Sequence, residues 1–286
     1  MDKISKSQVK MVRSLQQKKF RDELGLFVAE GEKCVSELLK SFNPELIIVS
    51  AEKGISPILN PSSPFQGGTE GGLVIASPTE IEQMSSLRTP QGVIGVFQKR
   101  PLTHSSTHPL THFERGAGGV LLALDGIQDP GNLGTIIRTC DWFGVHDIVC
   151  SQDTADCYNP KVVQATMGAL ARVRVHYVNL PAWLQSKMSI EGGLRIFGTL
   201  LEGKNMYDVL ADLSSLSPSL GGIEGGFFSI IVMGNEGNGI SPAVRSLVTH
   251  PIRIPSFPEN AETSESLNVS IATAIVLAEF RRMMHP

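Results

Sequence analysis

Val120-Leu-Leu-Ala-Leu-Asp-Gly126, Asn132–Phe143 and His146-Asp-Ile-Val-Cys-Ser151 together decide the fold class. The first piece is an apolar run, Val120–Leu124, closed by Asp-Gly, the pattern of a strand buried on both faces. The second opens on turn and cap residues and continues with helical spacing; the third is again a short apolar run. Strand, helix and strand in this order form a βαβ unit. The alternation continues outward through a helix at Lys161–Ala171, a strand at 172–178 and a helix at Pro181–Met188. Strands at 195–200 and 227–234 flank a Gly/Ser/Pro-rich loop at 212–226. A helix near 242–248, a strand at 250–255 and a helix Leu267–Met284 complete the chain. Such a succession implies a mostly parallel sheet covered on both faces, with ligands in the loops at the carboxyl ends of its strands.

Upstream lies a smaller α/β unit, expected over 1–98. Ile4, Met11, Val12 and Leu15 recur at helical spacing and predict a basic amphipathic helix over 3–20. A second helix is expected over 32–42, strands at 46–50, 73–77 and 92–97, and a helix opening at Ser77-Pro78. Residues 54–72 read as an exposed loop and 99–118 as a linker, leaving 119–286 as the second domain. His104, His108 and His112 recur every four residues, but Pro101 and Pro109 oppose a helix there and no metal site is expected.

With 286 residues, 41% hydrophobic and 19% charged, the chain has material for a packed core, which excludes a disordered or coiled-coil protein. The net charge of −3 excludes a uniformly basic nucleic-acid binder. Seven of the 25 basic residues nevertheless fall within 1–21: Lys3, Lys6, Lys10, Arg13, Lys18, Lys19 and Arg21. The four cysteines show no paired spacing, which fits a reducing compartment. No apolar run approaches a membrane span and the N-terminus lacks a signal-peptide pattern, so the expected location is the cytoplasm.

Three strand-end loops carry residues that a core does not need. In Asp125–Arg138, Asp129, Gly131 and Asn132 suit a turn and a helix cap, whereas Arg138 sits in an apolar helical turn about 9 Å beyond Asn132. In Met233–Ser241, glycines surround Glu236 and permit close backbone approach to a ligand. The order G-x-x-G-x-G is not the dinucleotide fingerprint, which weakens the reading of a nucleotide-binding oxidoreductase. The third runs from Ile252-Arg-Ile-Pro255 to Ser266-Leu-Asn-Val-Ser270, where Ser266 suits a cap and Asn268 the first turn of a helix. Gly198-x4-Gly203-Lys204 is nearly a phosphate-binding loop, but Asn205 stands where a hydroxyl is needed for magnesium.

Taken in order, N-x-G-x-x-x-R, G-x-E-G-x-G-I-S and I-P followed by S-L-N-V-S resemble the three motifs of the SpoU/TrmH family. These are S-adenosylmethionine-dependent RNA 2′-O-ribose methyltransferases of the SPOUT superfamily. Tyr158-Asn-Pro-Lys161 and Met167-Gly-Ala169 extend the likeness across 119–286, while Gly25–Gly31 and its surroundings resemble an L7Ae-like substrate-binding domain. The resemblance implies a trefoil-knotted α/β domain with Gly234, Ile254 and Leu267 against the adenosine part of S-adenosylmethionine. It gives Arg138 the grip on the substrate phosphate, Asn132 the positioning of ribose, and Glu236, Ser266 and Asn268 the ordering of the pocket. A homodimer is implied, with no metal and no membrane. The seven N-terminal basic residues are expected to hold RNA, ribosomal RNA in preference to transfer RNA. A stretch of ten residues, Ser256–Glu265, with three glutamates, departs from the family's shorter connection. The alternatives are a transfer-RNA methyltransferase or a non-catalytic ribosome-assembly factor on the same fold.

Overall fold

The computed structural model describes residues 2–53, 72–100, 119–188, 194–215, 229–258 and 266–284. Most of the expected loop at 54–72, nearly all of the linker with its three histidines, and the glutamates of 256–265 lie outside these residues. In chain order the elements begin with β1 (Asp2–Lys3), α1 (Lys6–Ser14), α2 (Lys18–Leu24), β2 (Leu26–Glu30) and α3 (Glu32–Leu38). They continue with β3 (Pro44–Ser50), β4 (Gly72–Ala76), α4 (Pro78–Met84), β5 (Val93–Gln98), β6 (Val120–Asp125) and α5 (Pro130–Trp142). Next come β7 (Asp147–Ser151), α6 (Pro160–Thr166), β8 (Arg174–Val178), α7 (Leu180–Met188), β9 (Arg195–Asn205) and α8 (Met206–Ser215). Last are β10 (Ser229–Gly234), α9 (Pro242–Arg245), β11 (His250–Arg253) and α10 (Val269–Met284). Two compact units result: Met1–Pro101 with Asp156–Arg172, and Leu102–Ala155 with Val173–Pro286.

The first unit is built on a mixed five-stranded sheet in the order β1-β4-β3-β5-β2. Alternate residues of its strands (Val28, Leu46, Ile48, Val74, Ile94, Val96) join Val12, Ile81 and Met84 from α1 and α4 in one buried cluster. Ser77 and Glu80 form the reciprocal cap expected at the start of α4. The basic helix expected over 3–20 is two helices. A capping box of Ser5 and Gln8 starts α1, and the chain turns at Leu15–Gln17. Arg21 explains the turn: its Nη1 donates to the carbonyls of Leu15 (2.9 Å) and Gln16 (2.8 Å), which a continuous helix would have used internally.

Residues 156–172 lie between β7 and β8 in sequence yet pack in this first unit. Tyr158 packs against Phe27 with ring centroids 4.7 Å apart. Asp156 Oδ2 accepts from Arg21 Nε at 3.1 Å and Nη2 at 2.8 Å. The helix expected over Lys161–Ala171 stops at Thr166 because Met167 (φ 52°) and Gly168 (φ 90°) turn left-handed. A Cβ on Gly168 would stand 2.5 Å from that of Glu37, so close approach to α3 demands glycine there. Arg21→Ala should cost about 3–5 kcal/mol, because it strands a buried carboxylate. Urea denaturation checks this, and a loss below about 0.5 kcal/mol would count against the role.

The second unit carries a six-stranded sheet, β11-β9-β10-β6-β7-β8, with every pairing parallel. Leu121, Ala123, Ile196, Ile230 and Val232 lie in its core. From β6 the chain proceeds through β7 to β8 on one side, while β10 lies on the other. The strand order therefore reverses between β6 and β10, where ligands bind in such sheets. Two elements differ from expectation. The loop expected at 212–226 is preceded by α8, whose last turn runs into it. Strand β9 extends to Asn205, so the near phosphate-binding loop is strand: a Cβ on Gly203 would meet the Ile252 backbone at 2.4 Å.

At the far edge, Asp147 accepts two hydrogen bonds from Arg174 (2.8 and 2.7 Å) and one from His176 (2.8 Å). Burial alone would raise its pKa, but these partners hold the carboxyl well below the usual range. A depressed folded pKa contributes stability above the unfolded value of about 3.9 and loses it as pH falls towards the folded one. The destabilisation caused by Asp147→Asn should therefore be full at pH 7 and shrink below about pH 4. Urea midpoints for both proteins at pH 7 and pH 2 test this; a constant gap would refute it.

Candidate active site

Strand β6 ends at Asp125, paired in register with Gly234 at the end of β10. The two following loops are tied together by their own polar groups. Asp125 is buried, and its Oδ2 accepts from Ser241 N at 2.7 Å. Asn235 Nδ2 donates to the Gly126 carbonyl at 2.7 Å, while its Oδ1 accepts from Gly237 N and Asn238 N at 2.8 and 3.0 Å. A Cβ on Gly234 would lie 2.4 Å from the Gly239 and Ile240 backbone, so the glycine permits the loop to fold back.

Asn132 lies in the first turn of α5, where Asp129 Oδ1 caps its N–H at 2.8 Å. Its side chain links the other two loops. Asn132 Nδ2 donates to Glu236 Oε1 at 2.6 Å, and its Oδ1 accepts from Asn268 Nδ2 at 3.0 Å. Asn268, not Ser266, caps α10: its Oδ1 accepts from Ser270 N at 3.0 Å and Ile271 N at 3.4 Å. Three motifs scattered over 136 residues of separation thus meet in one hydrogen-bond chain. Arg138 lies on the same helix as Asn132, exposed, with no hydrogen-bond or ion-pair partner among the described residues. The far end of that helix is anchored, for Arg281 donates to the carbonyls of Phe143 (2.6 Å) and Gly144 (3.1 Å).

Ser266 and Leu267 are exposed just before α10, and Ile254 is half-buried just beyond β11. Among the described residues Ser266 makes no hydrogen bond to the Asn132–Glu236–Asn268 chain. Sequence reasoning left Asp125 and Asn235 without a role, although both are polar residues at strand ends where an apolar strand has no need of them.

On the N-terminal unit, Lys3, Lys6, Lys10, Arg13, Lys18 and Lys19 are exposed. Arg21 departs from the expectation that it holds RNA. It is 1% exposed, and its guanidinium is committed to Asp156 and the end of α1, so it cannot reach a phosphate. Among the described residues no group of His, Cys, Asp and Glu side chains could hold a metal ion.

Residues 119–278 match the SpoU rRNA Methylase family, and residues 6–95 match the MRM3-like substrate binding domain. The chain is 28% identical to the Bacillus subtilis (strain 168) 23S rRNA (guanosine(2553)-2′-O)-methyltransferase RlmP, with 96% of this chain and 95% of that one aligned. It is 31% identical to human mitochondrial rRNA methyltransferase 3 over 54% of this chain and 36% of the human one. The crystal structure of an AdoMet-bound rRNA methyltransferase from Sinorhizobium meliloti superposes with a TM-score of 0.78 at 28% identity, covering 99% of this chain and 97% of its own.

Proposed function

Because the chain belongs to the SpoU rRNA Methylase family, we propose that it transfers the methyl group of S-adenosylmethionine to a ribose 2′-hydroxyl of ribosomal RNA. The observation that carries this reading is the Asn268–Asn132–Glu236 chain, at the reversal of strand order, with Arg138 exposed on the same helix as Asn132. The likeness to RlmP along nearly its whole length supports ribosomal RNA as substrate class.

When bound, S-adenosylmethionine supplies a sulfonium-activated methyl group. Gly234 at the folded-back turn, Ile254 just beyond β11 and Leu267 before α10 would take its adenosine part, since they offer backbone and apolar surface without charge. A ribose hydroxyl is a poor nucleophile at neutral pH and must be oriented and relieved of its proton. Arg138 holds the adjacent phosphate with its planar fork and brings the hydroxyl to the reacting position. Asn132 sets the ribose, held in turn by Glu236 and Asn268. Ser266, exposed at the mouth of α10, orders the pocket rim. Lys3, Lys6, Lys10, Arg13, Lys18 and Lys19 hold the RNA backbone, which makes binding strongly salt-dependent.

The domain reading is a substrate-binding unit over 1–98, a linker over 99–118 and a methyltransferase domain over 119–286, with 156–172 serving the first. A trefoil knot, the fold the family resemblance implies, would join β11 to α10. That strand lies at one edge of the sheet, while α10 returns to pack on α5, α8 and β10. A homodimer through α5 and α10 is supported by Trp142, Ile271 and Leu267, which are 85, 53 and 49% exposed on or beside these helices. Trp142→Glu should turn a dimer into a monomer in sedimentation; a wild-type monomer with full activity would sink this part. Four buried cysteines, none of them in a disulfide, suit a reducing cytoplasm, and among the described residues no helix is long and apolar enough to cross a membrane.

The test incubates RNA from a strain lacking the gene with the protein and labelled S-adenosylmethionine, followed by digestion and mass spectrometry. A new 2′-O-methylnucleoside in ribosomal RNA is expected. Donor binding without transfer to naked RNA or to ribosomal particles would favour a non-catalytic assembly factor.

A further inference from the structure

We infer that Ser270 is a positioning residue for methyl transfer, acting through Asn268 and Asn132. The inference rests on the placing of Asn132 at the ribose. Ser270 is 8% exposed, at the second position of α10, and its Oγ donates to Asn268 Oδ1 at 2.6 Å. Capping does not need this bond. A cap oxygen is satisfied by the backbone N–H groups of the second and third helical residues, and Ser270 N and Ile271 N already supply them. Hydroxyls deeper in the helices of this unit turn back to a backbone carbonyl three or four residues earlier: Thr135 to Gly131, Thr139 to Thr135, Ser186 to Trp183 and Thr273 to Val269. Ser270 instead spends its hydroxyl on a side-chain oxygen.

The consequence lies in the orientation of an amide. The two backbone donors sit at 3.0 and 3.4 Å and decide only which end of Asn268 faces the helix. The hydroxyl is the shortest of the three bonds and arrives from a side chain, so it holds the amide plane against rotation about its last torsion. With that plane held, Nδ2 points at Asn132 Oδ1, and Asn132 must present its own nitrogen to Glu236. Ser270 therefore sets the direction of the whole chain of bonds without touching substrate or cofactor.

The test compares kcat, KM for RNA and S-adenosylmethionine affinity in Ser270→Ala, Ser270→Thr, Asn132→Ala and the Ser270→Ala/Asn132→Ala double variant. Ser270→Ala should lower kcat about 3- to 10-fold, the loss of one hydrogen bond. KM, cofactor affinity and melting temperature should stay near wild type. Ser270→Thr keeps the hydroxyl and should restore the rate. In the Asn132→Ala background the same substitution should change nothing further, since its effect passes through Asn132. An unchanged kcat in Ser270→Ala, an equal loss in both backgrounds, or a loss that tracks melting temperature would overturn the proposal. A fully active Asn132→Ala would instead overturn the placing of the ribose.

Discussion

Arg138→Ala should lower the rate of methyl transfer about 10³-fold or more while leaving S-adenosylmethionine affinity and melting temperature nearly unchanged. The expectation starts from what Arg138 does not do. It is exposed and engages no partner among the described residues, so its removal breaks nothing that holds the fold. A structural arginine looks different in this same chain. Arg21 is buried and gives its donors to two carbonyls and a carboxylate. The helix beneath Arg138 is held at both ends, by Asp129 at its start and Arg281 at its finish, so the guanidinium has a defined origin. An exposed fork on the helix that also carries Asn132 suits a phosphate grip. Arg138→Lys separates charge from geometry. It keeps the cation, loses the paired donors, and should recover only part of the rate. Single-turnover kinetics with cofactor binding measured by calorimetry decides; near-normal turnover in the alanine variant refutes the assignment.

The parallel sheet was legible because fully buried strands must be apolar along their whole length, as in Leu121–Leu124 and Ile230–Met233. Helix starts were legible where a capping side chain marks them, as Ser77 does for α4. Features fixed by distant partners were not. Nothing local in Leu15–Gln17 announces a break; Arg21 creates it, with a carboxylate 135 residues away holding the guanidinium in place. Gly203 looked like a phosphate loop because close backbone packing and phosphate approach demand the same missing side chain. At the site, Asn132, Glu236 and Asn268 stood out as polar residues in strand-end loops, and the structure joins them. The directions of their hydrogen bonds could not be read, since an asparagine in a sequence has no orientation. Ser266 shows the converse: it looks like a helix cap, but the cap is two residues later at Asn268 and the helix starts at Val269.

That directionality makes Asn268→Asp a sharper probe than any truncation, and it should cost about 10²-fold in kcat/KM without lowering stability. Aspartate caps a helix as well as asparagine, and its charge is favoured at a helix N-terminus, so α10 keeps its start. What it loses is the donor to Asn132. A carboxylate oxygen would face Asn132 Oδ1, two acceptors together, and Asn132 must turn its amide to donate to the new carboxylate. Its oxygen then faces Glu236, where a nitrogen sits 2.6 Å away in the native chain. Glu236→Gln offers the compensating change, because the glutamine nitrogen can donate to the turned Asn132. Glu236→Gln should therefore lower the rate in the native chain yet raise it in the Asn268→Asp protein, an interaction of opposite sign in the two backgrounds. Both rates and melting temperatures of the four proteins are the measurement. If Glu236→Gln lowers the rate equally in both, the bonds carry no direction that matters to transfer, and the negative charge of Glu236 alone accounts for its place in the site.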